Sequence, residues 1–273
     1  MKQRIITSII AAALFIPFLI FSDTPAFICC FLLLTFVATY EMLNCIGFKK
    51  NVPISLLSYI YTGTAIVFTR ILDREMFLAY IAFSTLVLAI LLMSVSLFSH
   101  GKILIDHVSE VFMMMFYIAI TFSCVILVRD SDNGEYLFLL VFLSAWITDS
   151  GAYFTGMAMG RHKLIPDVSP KKTVEGAAGG IIICVVFMML YAFFVSLFTD
   201  LVPKYAVFAI GAIVLSLSSM IGDLFASLMK RRHNIKDYGF VFPGHGGVLD
   251  RFDSVLATAP ILMIIITLFG FYY

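Results

Sequence analysis

The sequence predicts an all-α, polytopic membrane helical bundle of about nine transmembrane helices, with its N-terminus in the cytoplasm. Three observations predict it. Of the 273 residues, 62% are hydrophobic and only 13% charged, and the mean hydropathy is +1.04; a soluble domain carries about 25% charged residues. Apolar runs of bilayer-crossing length fill nearly the whole chain. Lysine and arginine gather on alternate connections between those runs.

The runs are 5–21, 25–47, 54–69, 76–98, 108–128, 136–160, 176–198, 203–229 and 254–273, each near the roughly 20 residues that a hydrocarbon core requires. The first follows Lys2 and Arg4 and ends at Phe21-Ser22-Asp23. That end lacks a small-x-small cleavage pattern, so the run reads as a span rather than a cleaved leader. The five cysteines, Cys29, Cys30, Cys45, Cys124 and Cys184, lie inside apolar runs without a CxxC pair, as small buried hydrophobes do.

With the N-terminus inside, the inside connections hold Lys2, Arg4, Lys49, Lys50, Lys102, Arg161, Lys163, Lys171, Lys172, Lys230, Arg231, Arg232, Lys236 and Arg251. The outside connections hold Arg70, Arg74, Arg129 and Lys204. This asymmetry satisfies the positive-inside rule for an odd number of spans. It also puts the two longest polar connections, 161–175 and 230–253, on one cytoplasmic face. The net charge of +1 and the lack of a basic tail or low-complexity stretch give no sign of a nucleic-acid partner. The whole chain, 1–273, reads as one integral membrane domain whose active-site half is about 136–273.

The connection before the last span packs charge, glycine and histidine together. Just upstream, Asp223 lies within an apolar helix and shares a face with Ser227 and Lys230, extended inward by Ser219 and Ser216. The helical rise puts Asp223 about 10 Å from Lys230 along the axis. An ionised aspartate within a span costs about 2.5–3.5 kcal/mol on insertion scales, so it needs a partner. One reading makes that partner a neighbouring Lys or Arg. The other has Asp223 holding a divalent cation with Asp250, with Asp253 facing the same point one helical turn from Asp250. Mg²⁺ bridges a few carboxylates and substrate phosphates in this way, and no Cys/His set for zinc is present.

Lys230, Arg231, Lys236 and Arg251 supply charge for phosphate oxygens; anionic headgroup binding is the plainer account of such a run, and it suits Arg232. Gly244, Gly246 and Gly247 let backbone N–H groups approach a phosphate or a metal-bound water. His245 between them is either structural or a substrate contact. Where the chain re-enters the membrane, Ser169-Pro170 reads as an N-cap and first helical residue, presenting a helix N-terminus, Lys171 and Lys172 to an anion; membrane anchoring by the two lysines is the alternative. Gly176 and Gly180 form a small-xxx-small pair suited to close helix packing. Asp149, in Asp149-Ser150-Gly151-Ala152-Tyr153, is a further intramembrane acid placed to orient a nucleotide or metal-bound water. Glu41 and Glu110 lie near inside ends of spans, where snorkelling or pairing accounts for them, and they stay outside the expected site.

These clusters resemble the phosphatidate cytidylyltransferase family, the CDP-diacylglycerol synthases. Its signature is matched by Ser227, Lys230, Arg231, Lys236, Asp237, Gly239, Pro243, His245, Gly246, Gly247, Asp250, Arg251 and Asp253, with apolar residues at 229, 242, 248 and 252. The Asp149–Tyr153 and Ser169–Gly176 segments also look like family elements, so the resemblance covers roughly the C-terminal half. It implies the reaction CTP + phosphatidate → CDP-diacylglycerol + pyrophosphate, with Asp223 and Asp250 as metal ligands and Ser227 and the basic residues on nucleotide or lipid phosphate. It further suggests a homodimer. The expected location is the bacterial cytoplasmic membrane, with the active site on the cytoplasmic face that the charge asymmetry marks.

A CTP-dependent polyprenol kinase, or a cytidylyltransferase acting on another lipid phosphate, is the neighbouring alternative. No aspartate pattern of the CDP-alcohol phosphotransferases occurs. A transporter would show midplane broken helices and an internal repeat, neither of which is evident.

Overall fold

The computed structural model describes residues 21–242, 244 and 246–273. Eight helices dominate: α1 (Pro25–Ile46), α2 (Val52–Phe68), α3 (Arg74–Phe98), α4 (Ile105–Arg129), α5 (Gly134–Met159), α6 (Val174–Phe198), α7 (Tyr205–Arg232) and α8 (Leu249–Phe269). Seven of these are long and apolar enough to cross a membrane; α2, with 17 residues, is the shorter one. Each coincides with one of the expected segments. The first expected segment, 5–21, lies outside the described residues except for Phe21. A small two-stranded hairpin, β1 (Lys163–Ile165) and β2 (Ser169–Thr173), is the one departure from an all-α chain among the described residues.

Helix ends follow the local chemistry. Pro25 occupies the first turn of α1, and Gly47 closes it in the left-handed region at φ 92°. Asn51 accepts from the Ile54 N–H at the start of α2, and Asp73 accepts from the Met76 N–H at the start of α3. Lys230, Arg231 and Arg232 form the last turn of α7, where positive charge complements the helix dipole. This carries α7 three residues beyond its apolar run.

The chain divides into two compact units. The first contains the described residues up to Ile126 together with His233–Arg251. Its α1, α2 and α3 are cross-linked by hydroxyl pairs, Thr39 with Thr62 at 3.1 Å and Tyr61 with Thr85 at 2.8 Å. Polar groups buried in an apolar bundle find each other in this way because lipid offers no partner.

The second unit contains Leu127–Arg232 and Phe252–Tyr273. Thr148 on α5 donates to Ser216 on α7 at 3.0 Å, and Thr258 on α8 donates to the Val141 carbonyl on α5 at 3.0 Å. As the small-xxx-small reading expects, Gly176 and Gly180 let α6 close on α5: a Cβ at Gly176 would lie 2.7 Å from the Ala152 carbonyl, and one at Gly180 2.7 Å from the Thr148 carbonyl. Gly180→Val is therefore expected to cost about 1–3 kcal/mol by overpacking, read as a lower melting temperature in detergent. Most of the apolar surface of α6 and α3 is not buried within the chain, so it suits contact with lipid. This is an integral membrane protein.

Candidate active site

The hairpin corrects one expectation. Ser169 and Pro170 do not start α6; they belong to β2, which pairs antiparallel with β1 through Lys163–Thr173 and Ile165–Ser169. Pro170 lacks an N–H and tolerates an edge strand, and the helix starts later because Thr173 provides the cap. Its hydroxyl accepts from the Gly176 N–H at 3.1 Å. The base of the hairpin is closed by Glu175, which accepts from the backbone N–H groups of Arg161 (3.0 Å) and His162 (3.2 Å) and lies 2.6 Å from His162 Nδ1. Strand geometry separates the two lysines. Lys171 is exposed, whereas Lys172 is half-buried and turned toward α7.

There Lys172 Nζ meets Asp223 Oδ2 at 2.5 Å, both side chains about a quarter exposed. The contact is an ion pair. The pairing reading of Asp223 is thus realised in the structure. Its partner comes from the other polar segment that the sequence singled out, rather than from a nearby turn of the same helix.

Asp149 and Asp253 join this group in the second unit. Asp149 feels the charges of Asp223 and Lys172, and Asp253 those of Asp223, Lys230 and Asp149. Ser254 donates its hydroxyl to Asp149 Oδ2 at 3.0 Å, while its N–H donates to Asp253 Oδ1 at 2.8 Å. Helix α7 also brings half-buried Ser227 and Lys230 onto the face of Asp223, with Arg231 exposed beyond them. Three carboxylates and two lysines thus interact at one place in a largely apolar unit.

The first unit holds the other part of the expected site. Asp250 is 8% exposed. Its Oδ2 accepts from the Tyr238 N–H at 2.7 Å and the Gly247 N–H at 3.0 Å. The Gly247 N–H is therefore engaged by Asp250, where the sequence reading offered it to a phosphate. The chain turns between these points through an antiparallel bridge, Phe242 N–H to Gly246 carbonyl at 2.9 Å. Gly246 sits at φ +85°, and a Cβ there would lie 2.7 Å from Asp250 Oδ2, so glycine is required on two grounds. Lys236 and Arg251 are exposed. His245 lies outside the described residues.

Two acids left out of the expected site prove to be tied to this segment. Glu110 on α4 lies 2.6 Å from His233 Nε2. Glu41 on α1 is 2% exposed and accepts from the Val248 and Leu249 N–H groups, each at 2.9 Å. Pairing, one of the two accounts offered for these acids, holds for Glu110; Glu41 is buried and bonded to backbone N–H groups, which neither account covers. The available sequence signal for Glu41 was an acid followed by a further five residues of helix before Gly47, too deep for its short side chain to be explained by surface exposure.

Among the described residues, no three His, Cys, Asp or Glu side chains form a preformed metal cage. The donors are nonetheless hard carboxylate oxygens, the kind Mg²⁺ takes one or two at a time alongside substrate phosphates. The donor chemistry fits such an ion.

The profile of the cytidylyltransferase family matches residues 2–269. The chain belongs to the cytidylyltransferase family. Among curated proteins, it is 34% identical to the phosphatidate cytidylyltransferase of Bacillus subtilis (strain 168), with 99% of each chain covered. It is 32% identical to the phosphatidate cytidylyltransferase of Staphylococcus haemolyticus (strain JCSC1435), covering 97% of this chain and 99% of the relative. A third relative of the same name, from Staphylococcus saprophyticus subsp. saprophyticus (strain ATCC 15305), is 33% identical over 97% of this chain and 99% of its own. The cytidylyltransferase family match thus extends through the N-terminal helices, where the sequence alone showed only general hydropathy.

Proposed function

We propose that this chain converts CTP and phosphatidate to CDP-diacylglycerol and pyrophosphate at the cytoplasmic face of the bacterial membrane. The observation that carries the reading is the Lys172–Asp223 pair. It joins the basic hairpin to Asp223 of α7 and gives one place both anion-neutralising and cation-binding chemistry. Full-length similarity to proteins named phosphatidate cytidylyltransferase supports the choice of substrates.

In this reaction a phosphate oxygen of phosphatidate forms a bond to the α-phosphorus of CTP, and the α–β phosphoanhydride bond breaks to release pyrophosphate. Two polyanions must meet, so positioning and charge neutralisation dominate over proton transfer. Lys172 and Lys230 neutralise phosphate oxygens, helped by Lys171, Arg231, Lys236 and Arg251. Ser227, His245 and Gly246 contact nucleotide or lipid phosphate, while Gly247 and the buried face of Asp250 hold the loop in shape. Asp149 orients the nucleotide or a metal-bound water, with Asp253 beside Asp223. Asp223 and Asp250 would hold Mg²⁺, which would supply Lewis-acid stabilisation of charge on the phosphates. The resemblance adds a homodimer to the proposal.

Purified protein is expected to turn labelled CTP into a solvent-extractable lipid when phosphatidate and Mg²⁺ are supplied. Chelation should abolish product formation, and re-addition of Mg²⁺ should restore it. No product from folded protein with both substrates and Mg²⁺ overturns the proposal; undiminished activity after chelation removes the metal from it.

A further inference from the structure

Within the first unit, two carboxylates organise Tyr238 and residues 247–249. One is Asp250. The other is Glu41, from α1, 207 residues away from Val248 in sequence. Glu41 Oε1 accepts from the Val248 N–H and Oε2 from the Leu249 N–H, both at 2.9 Å. Leu249 opens α8, so both oxygens of a buried carboxylate are spent on the N-terminus of that helix. This is where the unpaired N–H groups and the positive end of the dipole favour an anion. Gly239 and Gly247 close on the same group, and a Cβ at either would collide with the Glu41 carboxylate.

A neutral cap borne on the loop itself would satisfy these N–H groups without placing an acid in an apolar helix, where an ionised side chain is costly. The distinctive result of the arrangement is a fixed register. Two parallel N–H groups need two acceptors on one rigid plane, and Gly246, Gly247, Asp250 and Arg251 lie within three residues of those donors.

We infer that Glu41 is a positioning residue for the transfer reaction: its bidentate grip on Val248 and Leu249 holds the glycine turn and Asp250 in their working geometry. The kinetic half of this inference rests on the proposed reaction; the structural half does not. Glutamine has one acceptor oxygen, so Glu41→Gln leaves one N–H facing an NH₂ group. Aspartate keeps both acceptors on a shorter arm.

The test uses the full-length protein in lipid nanodiscs. Amide hydrogen exchange without substrate should be at least about tenfold faster across residues 247–249 in Glu41→Gln. The kcat should fall about 10–100-fold, with KM for CTP within about threefold of wild type. Glu41→Asp should lie between the two proteins in both measurements.

Wild-type exchange rates in folded Glu41→Gln overturn the inference. So does a wild-type kcat despite faster exchange, or an aspartate variant no better than glutamine. If Glu41→Gln does not yield folded protein, Glu41→Asp is compared directly with wild type: intermediate values support the inference, and wild-type values overturn it. Failure of wild-type protein to make lipid product counts against the proposed reaction, while the exchange measurement still decides the role of Glu41 in the loop.

Discussion

Asp223→Asn lowers CDP-lipid formation by about 10³-fold, the scale expected when several kcal/mol of charge stabilisation are lost, while the protein still inserts and folds. Asp223 stands on the same α7 face as Ser227 and Lys230 and pairs with Lys172 at 2.5 Å. Asparagine keeps the shape but removes the charge that a cation or Lys172 requires. Because both partners are about a quarter exposed, solvent screening limits the stability cost of leaving Lys172 alone. Loss of an intramembrane charge also makes α7 easier to insert. Activity and folding therefore separate: the turnover assay collapses while the chromatographic profile and melting temperature stay close to wild type. Full turnover in Asp223→Asn would remove this residue from the proposed machinery.

Gly246→Ala is expected to lower turnover about 100-fold, also with retained insertion. The φ of +85° at this position costs a non-glycine residue about 1–2 kcal/mol. The added Cβ would also lie 2.7 Å from Asp250 Oδ2, the atom that accepts from both Tyr238 and Gly247. Backbone or carboxylate must yield, and either movement disturbs the turn that carries the signature. Displacement of a reacting group by about 1 Å is enough for a loss of this size. The segment is a connection rather than a span, so the bundle itself remains. Wild-type kinetics in Gly246→Ala would show that this turn geometry is unimportant to the reaction.

Hydropathy made the helices legible because a lipid-facing helix needs the same composition throughout its length. Shared helical faces were legible for the same reason: once α7 is a helix, Asp223, Ser227 and Lys230 must align. The hairpin was not. Ser169-Pro170 carries a strong local start signal, but Thr173 supplies the cap, and pairing with Lys163 and Ile165 draws the preceding residues into a strand. The local signal at Ser169-Pro170 is overridden by tertiary pairing, and the helix starts at the later cap.

The contact made by Glu41 was not legible for a different reason. Its partners are backbone N–H groups of Val248 and Leu249, which leave no complementary side chain in the sequence to suggest the contact. The sequence reading gives Gly247 to a phosphate, whereas in the structure Gly247 makes room for Glu41. Asp149 illustrates the opposite case. An acid in an apolar run was a sufficient signal, and the structure places it in electrostatic range of Asp223 and Lys172.

The central claim is transfer of a cytidylyl group to a lipid phosphate, and the fate of a positioned label tests it most directly. Purified protein is given phosphatidate, Mg²⁺ and CTP labelled either at the α-phosphorus or at the γ-phosphorus. Cytidylyl transfer predicts that the α label appears in the extractable lipid and the γ label in pyrophosphate. The γ label in lipid, with CDP released, would contradict the account and identify a CTP-dependent lipid kinase instead.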